Sequence, residues 1–218
     1  SHWPRYGCPR IAEQIAGAIA YDQVNSRLES ELAEQTALVE ISRLLGISSD
    51  IGIIFDDIAA VIKTTSQFDT ILVNIVENET GTRLNIYSSG LQTETTRVGD
   101  RYPLKSSLTE LIVKHRKPVR SVKNKADADK DSVVLPDMKD GFNTGLAVPL
   151  ISQGEVLGSI QLRSVRPNAY PESQVRFMTL VAEQLSGAMA RSDLAESELI
   201  LALERERAES LESQNQDL

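Results

Sequence analysis

The sequence predicts an α+β fold with a long helix at each end and β-hairpins between them. Apolar residues recur every three or four positions over residues 10–45 and again from residue 171 onwards, which is typical of helices. Residues 70–88 and 144–165 carry short apolar runs separated by Gly-containing turns, which is typical of hairpins. The spacing of apolar residues is therefore typical of helices near both ends of the chain and typical of strands between them.

The two terminal helices are unusually long. The first is predicted over Arg10–Leu45, well beyond the average of about 11 residues, and its polar middle needs a partner to cover its apolar stripe. Gly46 ends it, and Ser48–Asp50 caps a second helix. The last helix starts at Pro171 and continues without another proline to Leu218, roughly 70 Å, so it must project beyond a small domain.

The middle of the chain holds two predicted hairpins. The first pairs Thr70–Glu77 with Arg83–Ser88 through the turn NETGT. The second turns at QGE, and its largely apolar strands are expected to be central, with Pro149 indicating a bulge. Between the hairpins, the capping box SLTE begins a short helix at Ser107, and KPVRSV forms a short strand.

Composition limits the function classes. The chain is 41% hydrophobic and 25% charged, as in soluble globular proteins, and its net charge of -8 argues against nucleic acid as a partner. A single cysteine, Cys8, cannot form an internal disulfide, which favours a reducing, cytoplasmic location. No apolar run reaches the roughly 18 residues of a membrane span, so no membrane contact is expected in this segment. The first residue is not Met, which indicates a fragment of a longer protein.

One helical segment occurs twice. IAEQIAGAIA runs from Ile11 to Ala20, and VAEQLSGAMA runs from Val181 to Ala190, with Ala, Glu, Gln, Gly, Ala and Ala in register. A whole domain lies between the two copies. Their small residues would let neighbouring helices approach closely.

The stretch TGLAVPLISQGEVLGSIQLRSVRPNAYPESQVRFMTLVAEQLSGAMA, residues 144–190, resembles the GAF family, small-molecule sensor domains of signalling proteins. The matching features are a strand with an apolar residue before Pro-Leu, a Gly turn, VLGSIQL, and a helix that opens with an acidic turn residue and closes with LVAEQLSGAMA. The resemblance covers about residues 32–190. Because the family ends in such a helix, the first copy of the repeat is interpreted as the exit from an upstream GAF-like domain.

The resemblance implies an architecture and a domain division. A central antiparallel sheet of five or six strands carries helices on one face, is flanked by the long terminal helices, and holds a ligand pocket on its other face. Residues 1–31 would be a linker helix ending the upstream domain, residues 32–190 the GAF domain, and residues 191–218 a C-terminal signalling helix of coiled-coil type.

The resemblance also implies a homodimer, since the terminal helices of the family commonly lie together and pair with those of a second subunit. Two long polar helices need such covering on physical grounds as well. The residues expected at the helix–helix seams are Leu28, Leu32, Leu185, Ala188, Ser192, Ala195 and Leu199.

Catalytic residues, metals and cofactors are not expected. Family members that reduce free methionine sulfoxide need cysteines inside the domain, and those that attach a bilin usually do so through one, but Cys8 lies outside residues 32–190. Haem would need an axial ligand. His2 is at the extreme terminus, and His115 is interpreted as a surface residue in a basic helix end, so haem is not expected either.

The family's cyclic-nucleotide signature is incomplete. It consists of N-K followed by F-x-x-x-D-E, and Asn124, Lys125 and Phe142 match it. Leu146 and Ala147 occupy the two acidic positions, however, so a cyclic nucleotide is kept as an alternative ligand rather than the first choice.

Two charged stretches are interpreted as solvated surface. Residues 127–131, DADKD, begin like a calcium loop, but Ser132 and Met138 stand where that loop needs Gly and Glu. The basic stretch 114–125 is read as a helix end and strand edge, with an anion at the pocket rim or a partner surface as the alternative.

Strand alternation predicts the pocket residues. It places aliphatic side chains of both hairpins on one face, which the helices would cover, and polar side chains on the other. An alternative is that these polar residues simply face solvent, whereas an arginine in a partly enclosed site would favour an acidic or carboxylate ligand. The candidates for ligand binding are Asn74, Tyr87, Gln161 and Arg163.

These observations predict a non-enzymatic regulatory domain. It would bind a small molecule, or relay a signal through dimeric helices, to an output module of the same chain such as a histidine kinase or a cyclase. The alternatives are a spacer that dimerises and binds nothing, and a cyclic-nucleotide sensor. A dry aliphatic pocket would favour the spacer, and a cavity bearing Gln161 and Arg163 would favour the sensor.

Overall fold

One seven-stranded sheet forms the centre of the protein. The computed structural model describes residues 9–47, 51–130, 132–135, 141–192 and 194. The strands are β1 Thr70–Glu77, β2 Thr82–Gly90, β3 Arg101–Pro103, β4 Val119–Val122, β5 Ser132–Val134, β6 Thr144–Ser152 and β7 Glu155–Ser164. Their order across the sheet is β3-β2-β1-β7-β6-β4-β5.

Four α-helices accompany the sheet within the described residues. They are α1 Pro9–Ile47, α2 Ile51–Thr65, α3 Leu108–His115, and α4, whose described part covers residues 172–192. The α+β prediction is therefore confirmed. None of these helices is both long enough and apolar enough to cross a bilayer.

The sheet differs from the prediction in two respects. It has seven strands rather than five or six, and it is mixed, because β4 and β5 run parallel while the other neighbours run antiparallel. The difference in number concerns the two shortest strands, β3 and β5, which are three residues long and lie at the sheet edges. Strands this short are below the length at which alternation can be recognised.

The long helices cover one face of the sheet, as expected. Buried residues of α1, α2 and α4 form the main hydrophobic cluster with alternate residues of β1, β6 and β7. The short helix α3 lies on the opposite face, where Leu108 and Ile112 pack against Val119 of β4 and Ala147 of β6. The space beside α3 on this second face is where the candidate site lies.

Helix α1 packs against the domain through its last turns. Ala37, Ile41 and Leu44 are buried there in the main cluster. Over residues 13–33 the side chains are exposed, apart from a half-buried Asn25. The first two-thirds of this helix therefore extend from the domain within the chain described.

Helix α4 corrects part of the predicted dimer seam. Leu185 and Ala188 are fully or nearly fully buried in the main hydrophobic cluster, so the protein's own core covers them and they cannot meet a second chain. Ser192 is half-buried at the end of the described helix. Ala195 and Leu199 lie outside the described residues.

The carboxylate of Asp69 joins the start of β1 to the end of β7. It accepts hydrogen bonds from the Ser164 hydroxyl at 2.7 Å and from the Val165 N–H at 2.8 Å. Burial raises the pKa of Asp69, but these hydrogen bonds and the positive charges of Arg166 and Lys63 outweigh burial and leave the pKa below its ordinary value.

Replacing the Asp69 carboxylate is expected to lower the free energy of unfolding by an amount that depends on pH. The pKa of Asp69 is lower in the folded than in the unfolded state. The contribution of the ionised carboxylate to stability is therefore complete above the unfolded pKa of about 3.9, and it is lost as pH falls through the folded pKa. Asp69→Asn should cost about 1 kcal/mol of unfolding free energy at pH 7, and progressively less below about pH 4. Urea unfolding at pH 7, 5 and 3 measures this, with the exposed Asp57→Asn as control. A difference that is equal at pH 3 and pH 7 would contradict the assignment.

Candidate functional site

A cavity of about 420 Å³ lies on the face of the sheet opposite the long helices. Its floor is formed by residues of β2, β6 and β7, and its walls by the start of α3 and the chain just before it. Gln161 and Arg163 of β7 line it, with Arg83 of β2, and Leu108 and Phe142 supply apolar surface. Two of the four residues predicted for ligand binding thus meet at one cavity.

A buried hydroxyl and amide network fixes α3 to the sheet beside this cavity. The Asn74 Oδ1 accepts hydrogen bonds from the Ser159 hydroxyl at 3.1 Å and the Thr109 hydroxyl at 3.3 Å. Gln161 Nε2 donates to both hydroxyl oxygens, at 2.9 Å and 3.0 Å. All four residues are buried, and the network holds Gln161 at the cavity floor, although the Asn74 Nδ2 has no acceptor among the described residues.

Arg163 connects the cavity to the loop after β2. Its Nη1 donates a 2.9 Å hydrogen bond to the Thr95 hydroxyl, and its guanidinium lies 5.7 Å from the centre of the Phe142 ring. The same loop is held by Asn85, whose Nδ2 donates to the carbonyls of Thr95 and Arg97 at 3.2 Å and 3.3 Å. The loop over the cavity is therefore fixed by residues on the cavity side of the sheet.

Arg83 is a buried cation in the cavity lining. Its side chain is 6% exposed, its Nη1 donates to Asn85 Oδ1 at 2.8 Å, and its guanidinium lies 4.9 Å from the Tyr102 ring centre. Its Nε has no hydrogen-bond acceptor within the part of the chain that the structure describes. Burial, with a smaller contribution from the charge of Arg163, lowers the pKa of Arg83 to about 10.

The start of α3 is capped at the cavity wall. The Ser107 hydroxyl accepts from the Glu110 N–H at 3.2 Å, as the capping box predicts. The Glu110 carboxylate, however, accepts from the Ser106 N–H at 2.6 Å rather than from the N-cap itself. Ser106 adopts a φ of 62°, which turns the chain into the helix.

Tyr87 lies on the other face of the sheet, so its predicted place beside Gln161 is wrong. A bulge shifts the pairing of β2 with β1, because Val73 faces Tyr87 whereas Asn74 faces Asn85. The Tyr87 ring stacks on Phe55 of α2 with ring centres 5.0 Å apart, and its hydroxyl donates to Asp56 at 2.8 Å. Burial and this hydrogen bond raise the pKa of Tyr87 to about 12.

Of the remaining motifs, the cyclic-nucleotide signature reaches the cavity through Phe142 alone among the described residues. His115 ends α3 at the surface. Asn124 donates to Asp127 at 3.3 Å, and Asp129 forms a 2.9 Å ion pair with Arg120, while Asp131 and Met138 of the calcium-like stretch lie outside the described residues. No cluster of three His, Cys, Asp or Glu side chains suited to a metal occurs in the described part of the chain.

Sequence reasoning missed three residues of the site. Arg83, Thr109 and Ser159 were not among the candidates for ligand binding, although Ser159 precedes Gln161 by two residues and Arg83 precedes Tyr87 by four, so alternation groups each of them with a candidate. Alternation could have identified these two. Thr109 reaches the site only through the packing of α3, which no local pattern predicts.

Comparison with known proteins identifies the class. The GAF domain family model matches residues 34–190. The chain therefore belongs to the GAF family, whose members are sensory and regulatory domains. No curated protein matches the sequence.

Solved GAF domains share the fold. The GAF domain of a Coxiella burnetii phosphoenolpyruvate-protein phosphotransferase aligns with a TM-score of 0.62 at 17% identity, over 76% of this chain and 98% of that one. The phycoerythrobilin-bound GAF domain of a cyanobacterial phytochrome gives 0.62 at 16% identity, over 76% and 99%. The GAF domain of a Bacillus halodurans two-component sensor histidine kinase gives 0.55 at 15% identity, over 68% and 99%. At these identities the likeness concerns the fold.

Proposed function

We propose that this domain is a small-molecule sensor of a cytoplasmic signalling protein and relays ligand binding to an output module of the same chain. The ligand binds in the cavity beside α3, and helices α1 and α4, paired with those of a second copy, carry the change. A histidine kinase or a cyclase is the proposed output, and a sensor histidine kinase is among the proteins with a similar GAF domain.

The arrangement of β7 is the observation that supports this proposal. Gln161 and Arg163 face the cavity, while the alternating Ile160 and Leu162 are buried in the cluster formed with α1, α2 and α4. A ligand that displaces β7 on one side therefore disturbs helix packing on the other, because interiors are close-packed. A spacer domain has no need for a polar cavity of this kind.

The exposed side of α1 supports the dimer. Its buried residues lie on one side of the helix, and a second apolar stripe follows the opposite side at spacings of three, four and seven residues. The members of this stripe are more than half exposed: Tyr21, Val24, Leu28, Leu32 and Val39. A second copy of the same helix would cover such a stripe.

A ligand screen tests the sensor. A set of neutral, anionic and cationic metabolites is screened by thermal shift. At least one compound should raise the Tm of the protein by several degrees. Gln161→Met should weaken its binding at least tenfold, because a buried polar group of the ligand loses its partner. The matched control is Gln92→Met, which changes an exposed side chain of the loop.

Hydrogen exchange tests the relay with the same compound. Binding should change amide protection in residues 172–192, on the far side of the sheet from the cavity. If no compound stabilises the protein, or if every hit binds Gln161→Met as well as it binds the unmodified protein, the spacer alternative is the better description.

A further inference from the structure

We propose that the cavity selects a small organic anion, whose carboxylate or phosphate oxygens bind at the guanidinium groups of Arg83 and Arg163. This inference rests on the proposed sensor function and names the chemistry of its ligand. Three features of the described residues support it: a buried cation, a positively charged lining, and apolar surface around it.

Arg83 is the first feature. Only 6% of its surface is exposed. Its guanidinium donates to the neutral amide oxygen of Asn85 and lies over the face of the Tyr102 ring. Burying a charge without a counter-charge is costly, so proteins normally pair it. The unsatisfied Nε adds a donor that has lost its water without gaining an acceptor. An anion in the cavity would supply the missing counter-charge.

The charge of the lining is the second feature. Arg163 and Lys105 also line the cavity, and none of the described residues that line it is acidic. The positive charge of Arg163 adds to the effect of burial in lowering the pKa of Arg83, so the two guanidinium groups repel each other and would both be stabilised by an anion. Guanidinium groups present planar pairs of donors that match carboxylate and phosphate oxygens.

Size and apolar surface are the third feature. About 420 Å³ is near the lower end of ligand cavities, which suits a small molecule rather than a large cofactor. Leu108, Leu135 and Phe142 supply the apolar part of the lining, and Phe142 lies beside Arg163. A short hydrocarbon chain with an anionic head matches this combination, whereas a bare inorganic ion would leave the apolar wall uncovered.

The experiment compares matched probes. Thermal shift and calorimetry are run with sodium succinate, inorganic phosphate and the neutral succinamide, each against sodium chloride at equal ionic strength. Succinate, phosphate or both should raise Tm by roughly 3–6 °C beyond chloride at about ten times Kd, and succinamide should not. A response to succinate alone assigns a carboxylate ligand, and a response to phosphate alone assigns a phosphate ligand.

Three variants assign the effect to the cavity. Arg163→Gln and Arg83→Gln should each weaken anion binding at least tenfold. Arg101→Gln removes the same charge from an exposed residue that pairs with Glu77, and should keep the affinity of the unmodified protein. Arg163 is only partly buried, so its variant remains informative if Arg83→Gln fails to fold.

Several outcomes would overturn the inference. These are no stabilisation by either anion, equal stabilisation by succinamide, and anion binding that survives in Arg163→Gln. If a neutral metabolite meets the criteria of the sensor test while the anions fail, the anion inference alone is wrong and the sensor proposal stands. If neither class of compound binds, both are wrong.

Discussion

Replacing Gly158 with alanine is expected to lower the free energy of unfolding by about 3 kcal/mol, the upper range for overpacked interiors. Gly158 pairs with Ile75 of β1 on one side and Leu150 of β6 on the other, at the centre of the sheet. A Cβ there would lie 1.9 Å from the Asn74 carbonyl oxygen and 2.8 Å from the Ile75 Cα. These are backbone atoms, so a side-chain rotation cannot relieve the clash and the strands must separate.

Thermal and urea unfolding measure this effect. A loss of about 3 kcal/mol corresponds to a fall in Tm of roughly 6–12 °C for a chain of this size. Gly46→Ala is the matched control, because a Cβ at that position of α1 has no atom within 4 Å and alanine favours a helix. If Gly158→Ala is as stable as Gly46→Ala, β1 and β7 are not paired as closely as described.

The second large effect concerns association. Leu28→Glu combined with Leu32→Glu is expected to convert a dimer into a monomer, because two charges per chain would be buried in the proposed helix contact. Each leucine contributes about 1.5–3 kcal/mol when it is buried, so the dimer Kd should rise at least a hundredfold. The two leucines are 57% and 65% exposed in the single chain, so its own stability should hardly change.

Sedimentation equilibrium between about 1 and 100 μM resolves the two states. Ile19→Glu is the control, since this equally exposed isoleucine lies on the side of α1 away from the stripe. Dissociation by both sets of substitutions would indicate nonspecific association. A monomer in the unmodified chain would remove the helix pairing from the proposed mechanism and leave the ligand cavity unaffected.

Periodicity predicted the part of the site that lies on regular strands. Gln161 and Arg163 alternate with Ile160 and Leu162 without interruption, so the period of two places them on the cavity side. The same rule failed for Tyr87, because the bulge in the β1–β2 pairing inserts one residue and exchanges the faces beyond it. No glycine or proline stands within two residues of Tyr87 to mark that bulge.

Burial also limited the seam prediction. Leu185 and Ala188 fit a helical a/d spacing, and that spacing is the same whether a helix packs on its own domain or on another chain. In α4 the domain itself covers the apolar side. Helix α1 has an apolar surface on two sides. One side is buried against the domain near residue 41, and the opposite side is exposed at Leu28 and Leu32.

The unsupported length of α1 gives it a mechanical consequence. Residues 9–33 form a rod of roughly 37 Å that is held at its domain end, and over residues 13–33 nearly all of its side chains are exposed in the described part of the chain. A rod held in this way is a lever arm, so a tilt of about 5° at the domain moves its far end by roughly 3 Å. In the proposed relay, an adjustment of β7 too small to reshape the sheet would therefore move the far end of α1 by a distance of the same order.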